Sequence, residues 1–138
     1  MNLQDIKTIT FTSPIEVMVP RKTKPAKRVA LNLNVYRNLH YQVNNHAKVI
    51  YRELMADQLR DVMPAKEIIT LEFIHFKGSR RIMDRSNVLS VVEKFFCDAL
   101  VHYRVIPDDN DQHIRSTIYS TGGIDRQNPH VKVVMVCR

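Results

Sequence analysis

The sequence lacks the features that mark several classes of protein. Its 138 residues contain no run of eighteen apolar residues and no signal-peptide pattern, so we expect a soluble intracellular protein without membrane partners. The two cysteines, Cys97 and Cys137, are too few for a disulfide framework and are expected to be small buried side chains. There is no Cys-x-x-Cys pair and no close pair of histidines, so zinc binding is not expected.

Acidic residues are also scarce relative to basic ones. The chain has 14 acidic and 21 basic residues, a net charge of +7, and an excess of cations favours polyanionic partners. Many of the cations fall into two groups. The first comprises Arg21, Lys22, Lys24, Lys27 and Arg28, and the second comprises Lys77, Arg80, Arg81 and Arg85. The first group equally suits a solvated loop. The second surrounds Asp84, and we expect it to hold a phosphate backbone.

The length and composition predict one globular domain spanning residues 1–138. A chain of this length buries enough surface for a single core. Hydrophobic residues make up 44% and charged residues 25%, which is typical of globular proteins. We find no repeat and no low-complexity tract.

The hydrophobic pattern predicts an α+β fold, with a mixed β-sheet and two main helices packed on one face. Strands are predicted at residues 6–11, 15–19, 67–76, 113–121 and 131–136, a loop at 20–27, an extended piece at 30–34 and a helix at 41–63. Residues 67–76 are apolar on both sides, which indicates a central strand. Gly122-Gly123 is predicted to be the turn that joins the last two strands as an antiparallel pair.

A second helix is predicted inside residues 80–111, a segment that carries six of the fourteen acidic residues. At about 100° per residue, its apolar side chains form one arc, comprising Val88, Val91, Val92, Phe95, Phe96, Ala99 and Leu100. Asn87, Lys94 and Asp98 line one margin of the arc, and Asp84 lies just ahead of it. If the loop after the helix returns Asp108, Asp109 and Asp111 to the same place, the acids form a divalent-cation site.

Each of these features also has a structural explanation. Asp84 or Ser86 suits the helix cap, where a short oxygen-bearing side chain accepts hydrogen bonds from free amides. Lys94 and Asp98 suit an ordinary surface pair. Residues 107–110, Pro-Asp-Asp-Asn, suit a turn.

The order of these pieces resembles the RusA family of Holliday-junction resolvases. The matching pieces are Asp84-x-x-Asn87, residues 94–100 (Lys-Phe-Phe-Cys-Asp-Ala-Leu), the apolar-then-Asp108-Asp109 turn, and residues 34–38 (Asn-Val-Tyr-Arg-Asn). The resemblance spans roughly residues 30–136 in element order. It implies a homodimeric endonuclease that cleaves branched DNA with Mg²⁺, or with Mn²⁺ as an alternative, in the cytoplasm of a bacterium or encoded by a phage.

The resemblance also assigns roles to residues. It implies that Asp84 and Asp109, with Asp108 beside it, bind the metal and that Lys94 is needed for cleavage. From position and charge we further expect Asp108 or Asp98 to assist the metal, Asn87 to orient a carboxylate or a water, and Lys77, Arg80, Arg81 and Arg85 to bind DNA. Arg37 and Tyr36 are expected to face the same cleft, although Tyr36 suits the core equally well. Two departures stand out: Ser86 occupies the position of the family's second aspartate, and four extra residues separate Asn87 from Lys94.

Because of Ser86, a second function class stays open. The chain would then be a non-catalytic, structure-specific DNA-binding protein of the same fold. A third class is an RNA-binding or protein-interaction module that uses only the basic surface.

Overall fold

The computed structural model describes residues 6–137. Within that range the strands are β1 (Lys7–Ser13), β2 (Glu16–Val19), β3 (Lys27–Ala30), β4 (Ile69–Lys77), β5 (Ile114–Ile124) and β6 (His130–Cys137). The helices are α1 (Leu33–Asn38), α2 (Tyr41–Leu54), α3 (Ala56–Leu59) and α4 (Arg85–His102). The predicted α+β class is confirmed.

The main sheet has four strands in the order β1-β6-β4-β5. β4 pairs with β5 in parallel and with β6 in an antiparallel manner, and β1 pairs antiparallel with β6. The mixed sheet and the central position of β4 are therefore confirmed. The predicted pairing of the last two strands is wrong, because β6 inserts between β1 and β4 and leaves β5 beside β4. β2 and β3 form a separate antiparallel pair.

The helix α4 connects the parallel strands β4 and β5, as a parallel pair requires. Alternate side chains of β4, including Leu71 and Phe73, are buried on the face that meets α4. Phe96 of α4 packs against both Phe73 and Phe11, with ring centroids 5.9 and 5.4 Å apart. Each such buried side chain contributes about 1.5–3 kcal/mol to folding. The predicted apolar arc is buried in full, together with Leu89 and Cys97.

The predicted helix at residues 41–63 is interrupted. α2 ends at Leu54, and α3 continues only to Leu59, ahead of Pro64. The buried positions Ala47, Tyr51, Met55 and Leu59 recur every four residues, whereas Leu54 is 55% exposed. α2 packs on α4 and on β2. The side chains of both sheets and all four helices contribute to one hydrophobic cluster.

Two local predictions are wrong. Residues 33–38 form the helix α1, because the side chain of Asn32 accepts a hydrogen bond from the amide of Val35 and caps a new helix. Gly122 and Gly123 lie inside β5. A Cβ atom on Gly122 would lie 2.8 Å from the ring of Phe76, so the glycine permits the close approach of β5 to that ring.

No helix within residues 6–137 is long and apolar enough to cross a membrane.

Candidate nucleic-acid interface

The two ends of α4 lie at opposite ends of the strand pair β4–β5. Near its start, Arg85 donates to the hydroxyl of Thr121 at 2.9 Å, and Thr121 is paired with His75 close to the end of β4. Beyond its end, the carbonyl of His113 accepts from the amide of Ile69, the first residue of β4. The helix has 18 residues, a length of about 27 Å.

The acids predicted to share an ion are therefore not brought together within one chain. Asp84 lies at the start of α4. Asp108 and Asp109 lie in the loop beyond its end, where the carbonyl of Asn110 accepts from the amides of His113 and Ile114. The expectation that this loop returns to the start of the helix is wrong, because the loop leads directly into β5 at the far end of the sheet.

The carboxylate of Asp84 caps α4. Its Oδ1 accepts from the amide of Ser86 at 3.1 Å and from the hydroxyl of Ser86 at 2.7 Å. Both oxygen-bearing side chains that were candidates for the cap thus take part in it. A cap of this kind satisfies an amide that has no partner inside the helix.

The carboxylate of Asp108 likewise accepts hydrogen bonds within its own turn. Its Oδ1 accepts from the amide of Asp109 at 2.8 Å, and its Oδ2 accepts from the side-chain amide of Asn110 at 3.2 Å. Asp109 is exposed. Burial raises the pKa of the Cys97 thiol to about 12, and the charges of Glu93 and Asp109 add to that rise. Cys97 is therefore an inert buried side chain, as predicted.

Lys94 and Asp98 lie on the outer part of α4 but do not pair with each other. Lys94 is exposed and follows Asn87 by about two turns. Asp98 lies 3.9 Å from the guanidinium of Arg52 on α2. Asp98 is fourteen residues beyond Asp84, about 21 Å along the helix, so it cannot assist Asp84 in the same chain.

Among residues 6–137, no three His, Cys, Asp or Glu side chains are grouped so that they could hold a metal ion. The predicted ligands of a single chain therefore do not fit one shared Mg²⁺ site. Mg²⁺ commonly takes only one or two carboxylates along with waters and substrate phosphates, so isolated carboxylates such as Asp84 and Asp109 stay candidates as half-sites.

The start of α4 opens into a cavity of about 510 Å³, which we call the basic cleft. It lies between the residues around β3 and the loop that joins β4 to α4. Its lining includes three cations, four other polar side chains and several apolar ones. They comprise Arg28, Lys77, Arg81, Asn32, His75, Ser79, Asn87, Ile15, Leu31, Ile82, Met83 and Val88. No acidic side chain is among the described residues of the lining.

The basic cleft combines cations from both groups seen in the sequence. Lys77 and Arg81 come from the second group, and Lys77 donates to the carbonyl of Arg81 at 2.8 Å, which ties the loop to the end of β4. Arg28 comes from the first group and also pairs with Glu16. The fold thus turns two basic segments, far apart in the sequence, into one surface.

The remaining predicted DNA-binding residues divide between this surface and another. Arg80 and Arg85 are exposed beside the basic cleft, in and after the same loop. Arg37 is exposed on α1 but does not line the cleft. Tyr36 packs edge-on against Phe95, with ring centroids 6.5 Å apart, so it belongs to the core.

The structure places in the cleft one further residue, His75, that the sequence analysis did not single out. His75 is only 4% exposed, and its Nδ1 has no hydrogen-bond partner in the described part of the chain. Burial, together with nearby Lys77 and His130, lowers the pKa of His75, which favours the neutral form of its ring. Its position at the end of the central strand, directly before the basic loop, was the available signal.

No protein-family model matches this sequence, and a comparison with curated proteins also gives no match. The resemblance to the RusA family therefore rests on its motifs.

Proposed function

We propose that this chain is an endonuclease that cleaves branched DNA, such as Holliday junctions, as a homodimer of the RusA type. The observation that carries the proposal is the basic cleft. It places Arg28, Lys77 and Arg81 around the start of the helix that bears the Asp84 and Asn87 motif.

The charge of the cleft supports a DNA partner. Three cations line it, of which Arg28 also pairs with Glu16, and exposed Arg80 and Arg85 extend the surface. Contacts of this kind hold phosphates without reading sequence. Each neutralised phosphate releases counterions, so binding through this surface must weaken as salt rises.

A two-fold pair of copies reconciles the resemblance with the separation of the acids. In a symmetric dimer, a contact from one copy to its partner is matched by the reverse contact. Asp84 of one copy can then face Asp109 of the second, and the dimer holds two such pairs. The proposal therefore builds each acidic site from two copies, whereas a single chain offers only half of it.

Asn87 and Lys94 complete the proposed machinery. Asn87 lines the cleft and would orient a carboxylate or a water. Lys94 is exposed on the same side of α4 and would offset the negative charge that builds on the phosphate in the transition state. Lys94→Ala is then expected to keep junction binding and lose cutting, and an equal loss of both would contradict this role.

Mixed dimers test the proposal directly. Asp84→Asn and Asp109→Asn chains are assayed separately, and then co-expressed, on a synthetic four-way junction with Mg²⁺ or Mn²⁺. Each variant alone should fail to nick. A mixed dimer retains one pair of intact acids, Asp84 from one copy and Asp109 from the second, and should regain nicking. Asp57→Asn, a change at an exposed acid on α3, serves as the control.

If the mixture stays inactive although the wild-type protein nicks, the acidic site lies within one chain and the two-copy arrangement is wrong. If the wild-type protein binds the junction no better than duplex DNA, the proposed substrate is wrong.

A second candidate function is favoured by the cap at Asp84. Its Oδ1 is engaged by Ser86, the residue that replaces the second aspartate of the family. A non-catalytic DNA-binding protein would keep the basic cleft and use Asp84 only to start the helix. Tight junction binding without nicks in either Mg²⁺ or Mn²⁺ would support this candidate over the nuclease.

A further inference from the structure

We infer that the basic cleft holds one unpaired base from the branch point of the DNA, in addition to backbone phosphates. The inference rests on the proposed function and names the part of the substrate that the cleft recognises.

The apolar walls of the cleft are the first observation. Ile15 and Leu31 lie in the lining together with Ile82 and Met83 of the loop before α4. Ile82 is 94% exposed and Met83 is 43% exposed, so two large apolar side chains stand in water among arginines. Phosphates do not bind to apolar side chains. The faces of a base stack on apolar and aromatic side chains in a sequence-tolerant manner, so these walls suit a base.

The polar residues of the lining are the second observation. His75 lines the cleft near the end of β4 and is otherwise buried. A neutral histidine offers one donor and one acceptor, and the amide of Asn87 offers an acceptor oxygen and a donor NH2 group. Base edges present both donors and acceptors, whereas a phosphate offers only acceptors. The pair therefore suits a base edge.

The cations and the size of the cavity agree with this occupant. Arg28, Lys77 and Arg81 share the lining and are suited to the phosphates on either side of the base. A volume of about 510 Å³ lies within the range of about 300–1,000 Å³ that small-molecule sites occupy. Extruding a base requires unstacking and unpairing it, and at a branch point the continuous stacking of the duplex is already interrupted.

A series of abasic junctions tests the inference. The series consists of four-way junctions that differ only in the position of one abasic nucleotide near the branch point, and binding is measured without divalent metal. An abasic nucleotide keeps the phosphate and removes the base. At one position in each symmetry-related strand, the loss of the base should weaken binding about tenfold, within the range for base stacking on protein side chains.

The variant Ile82→Ser locates the effect. Ile82 is almost fully exposed, so its replacement leaves the fold intact. The variant should bind the unmodified junction about tenfold more weakly and should no longer distinguish it from the abasic one. Leu54→Ser, a change at an exposed apolar residue on α2, is the matched control and should retain the difference.

The variant His75→Phe tests the polar part of the site. Wild-type protein should bind junctions with different bases at the sensitive position unequally, by about tenfold between best and worst, and His75→Phe should reduce this preference. Its melting temperature is compared with that of wild type to establish folding. Should His75→Phe fail to fold, the Ile82→Ser series alone decides.

Equal binding of the intact junction and every abasic junction overturns the inference and leaves the proposed function standing. A failure to prefer the intact junction over duplex DNA overturns the proposed function itself.

Discussion

The two ends of α4 use the same chemistry for different purposes. At both ends a short acidic side chain accepts hydrogen bonds from neighbouring backbone or side-chain groups, Asp84 at the helix start and Asp108 in the loop beyond. The start faces a cavity with cations, a polar histidine and exposed apolar side chains. The far end closes on itself, with Val105 and Ile106 buried. Acids of the motif therefore lie at both ends of α4, whereas the cations and the open cavity of the basic cleft lie at its start.

The largest expected effect comes from removing the core contact between α4 and the main sheet. Phe96→Ala deletes a fully buried ring that packs on Phe11 and Phe73, so the free energy of unfolding should fall by about 3–5 kcal/mol. Lys94→Ala on the exposed side of α4 should change it by less than about 0.5 kcal/mol. Urea denaturation measures both, and similar losses would show that α4 is not anchored by this ring.

Lowering the pH should reduce the free energy of unfolding through His75, which lines the basic cleft. Burial lowers the pKa of His75 below its ordinary value of 6.5. Below about pH 6.5 the unfolded chain therefore binds more protons than the folded one, and the free energy of unfolding falls as pH decreases. The slope from one histidine is at most about 1.4 kcal/mol per pH unit. Denaturation at about pH 7.5 and about pH 5.5 should show this loss of stability in wild type and in the control His46→Phe. In His75→Phe the difference in the free energy of unfolding between the two pH values should be smaller.

DNA binding should separate the two ends of α4. Arg81→Ala in the basic cleft should weaken binding of a junction by about 1 kcal/mol, roughly fivefold, and should reduce the slope of log K against log salt by about one. Arg104→Ala at the far end carries the same change of charge and should have no comparable effect. If both variants lose affinity equally, net charge rather than the basic cleft governs binding.

Capping predicts a difference between two replacements of Asp84. Asp84→Ala removes the acceptor for the amide of Ser86 and should lower the free energy of unfolding by about 1 kcal/mol. Asp84→Asn keeps an acceptor oxygen and should cost only a few tenths. Thermal unfolding of both variants checks this. Equal costs would mean that the negative charge, rather than the hydrogen bond, stabilises the helix start.

The smallest effect is expected at the far end, where Arg104 has a φ of 60°. Its amide donates to the carbonyl of Val101, and the amide of Val105 donates to that of Leu100, a helix end that favours glycine at this position. Arg104→Gly should raise the melting temperature, with a gain of about 0.5 kcal/mol. A loss of stability would show that the arginine side chain compensates for its backbone conformation.

Local patterns in the sequence predicted the elements that depend on local chemistry. The apolar arc of α4 was found by its helical period, and the central strand β4 by its apolar character on both sides. The end of α2 at Leu54 was missed. The role of Gly122 was missed because its close approach to the ring of Phe76 depends on a distant part of the chain.

The sequence by itself determined the α+β class, the amphipathic α4 and the excess of positive charge, since each follows from the period or the count of residues along the chain. The tertiary structure alone decided which residues meet. The parallel pairing of β4 with β5 requires a helix between them that runs the length of the sheet, so Asp84 and Asp109 are separated. The approach of β3 to the loop before α4 joins Arg28 with Lys77 and Arg81 around His75. Neither arrangement can be read from residue spacing, because both depend on strand order.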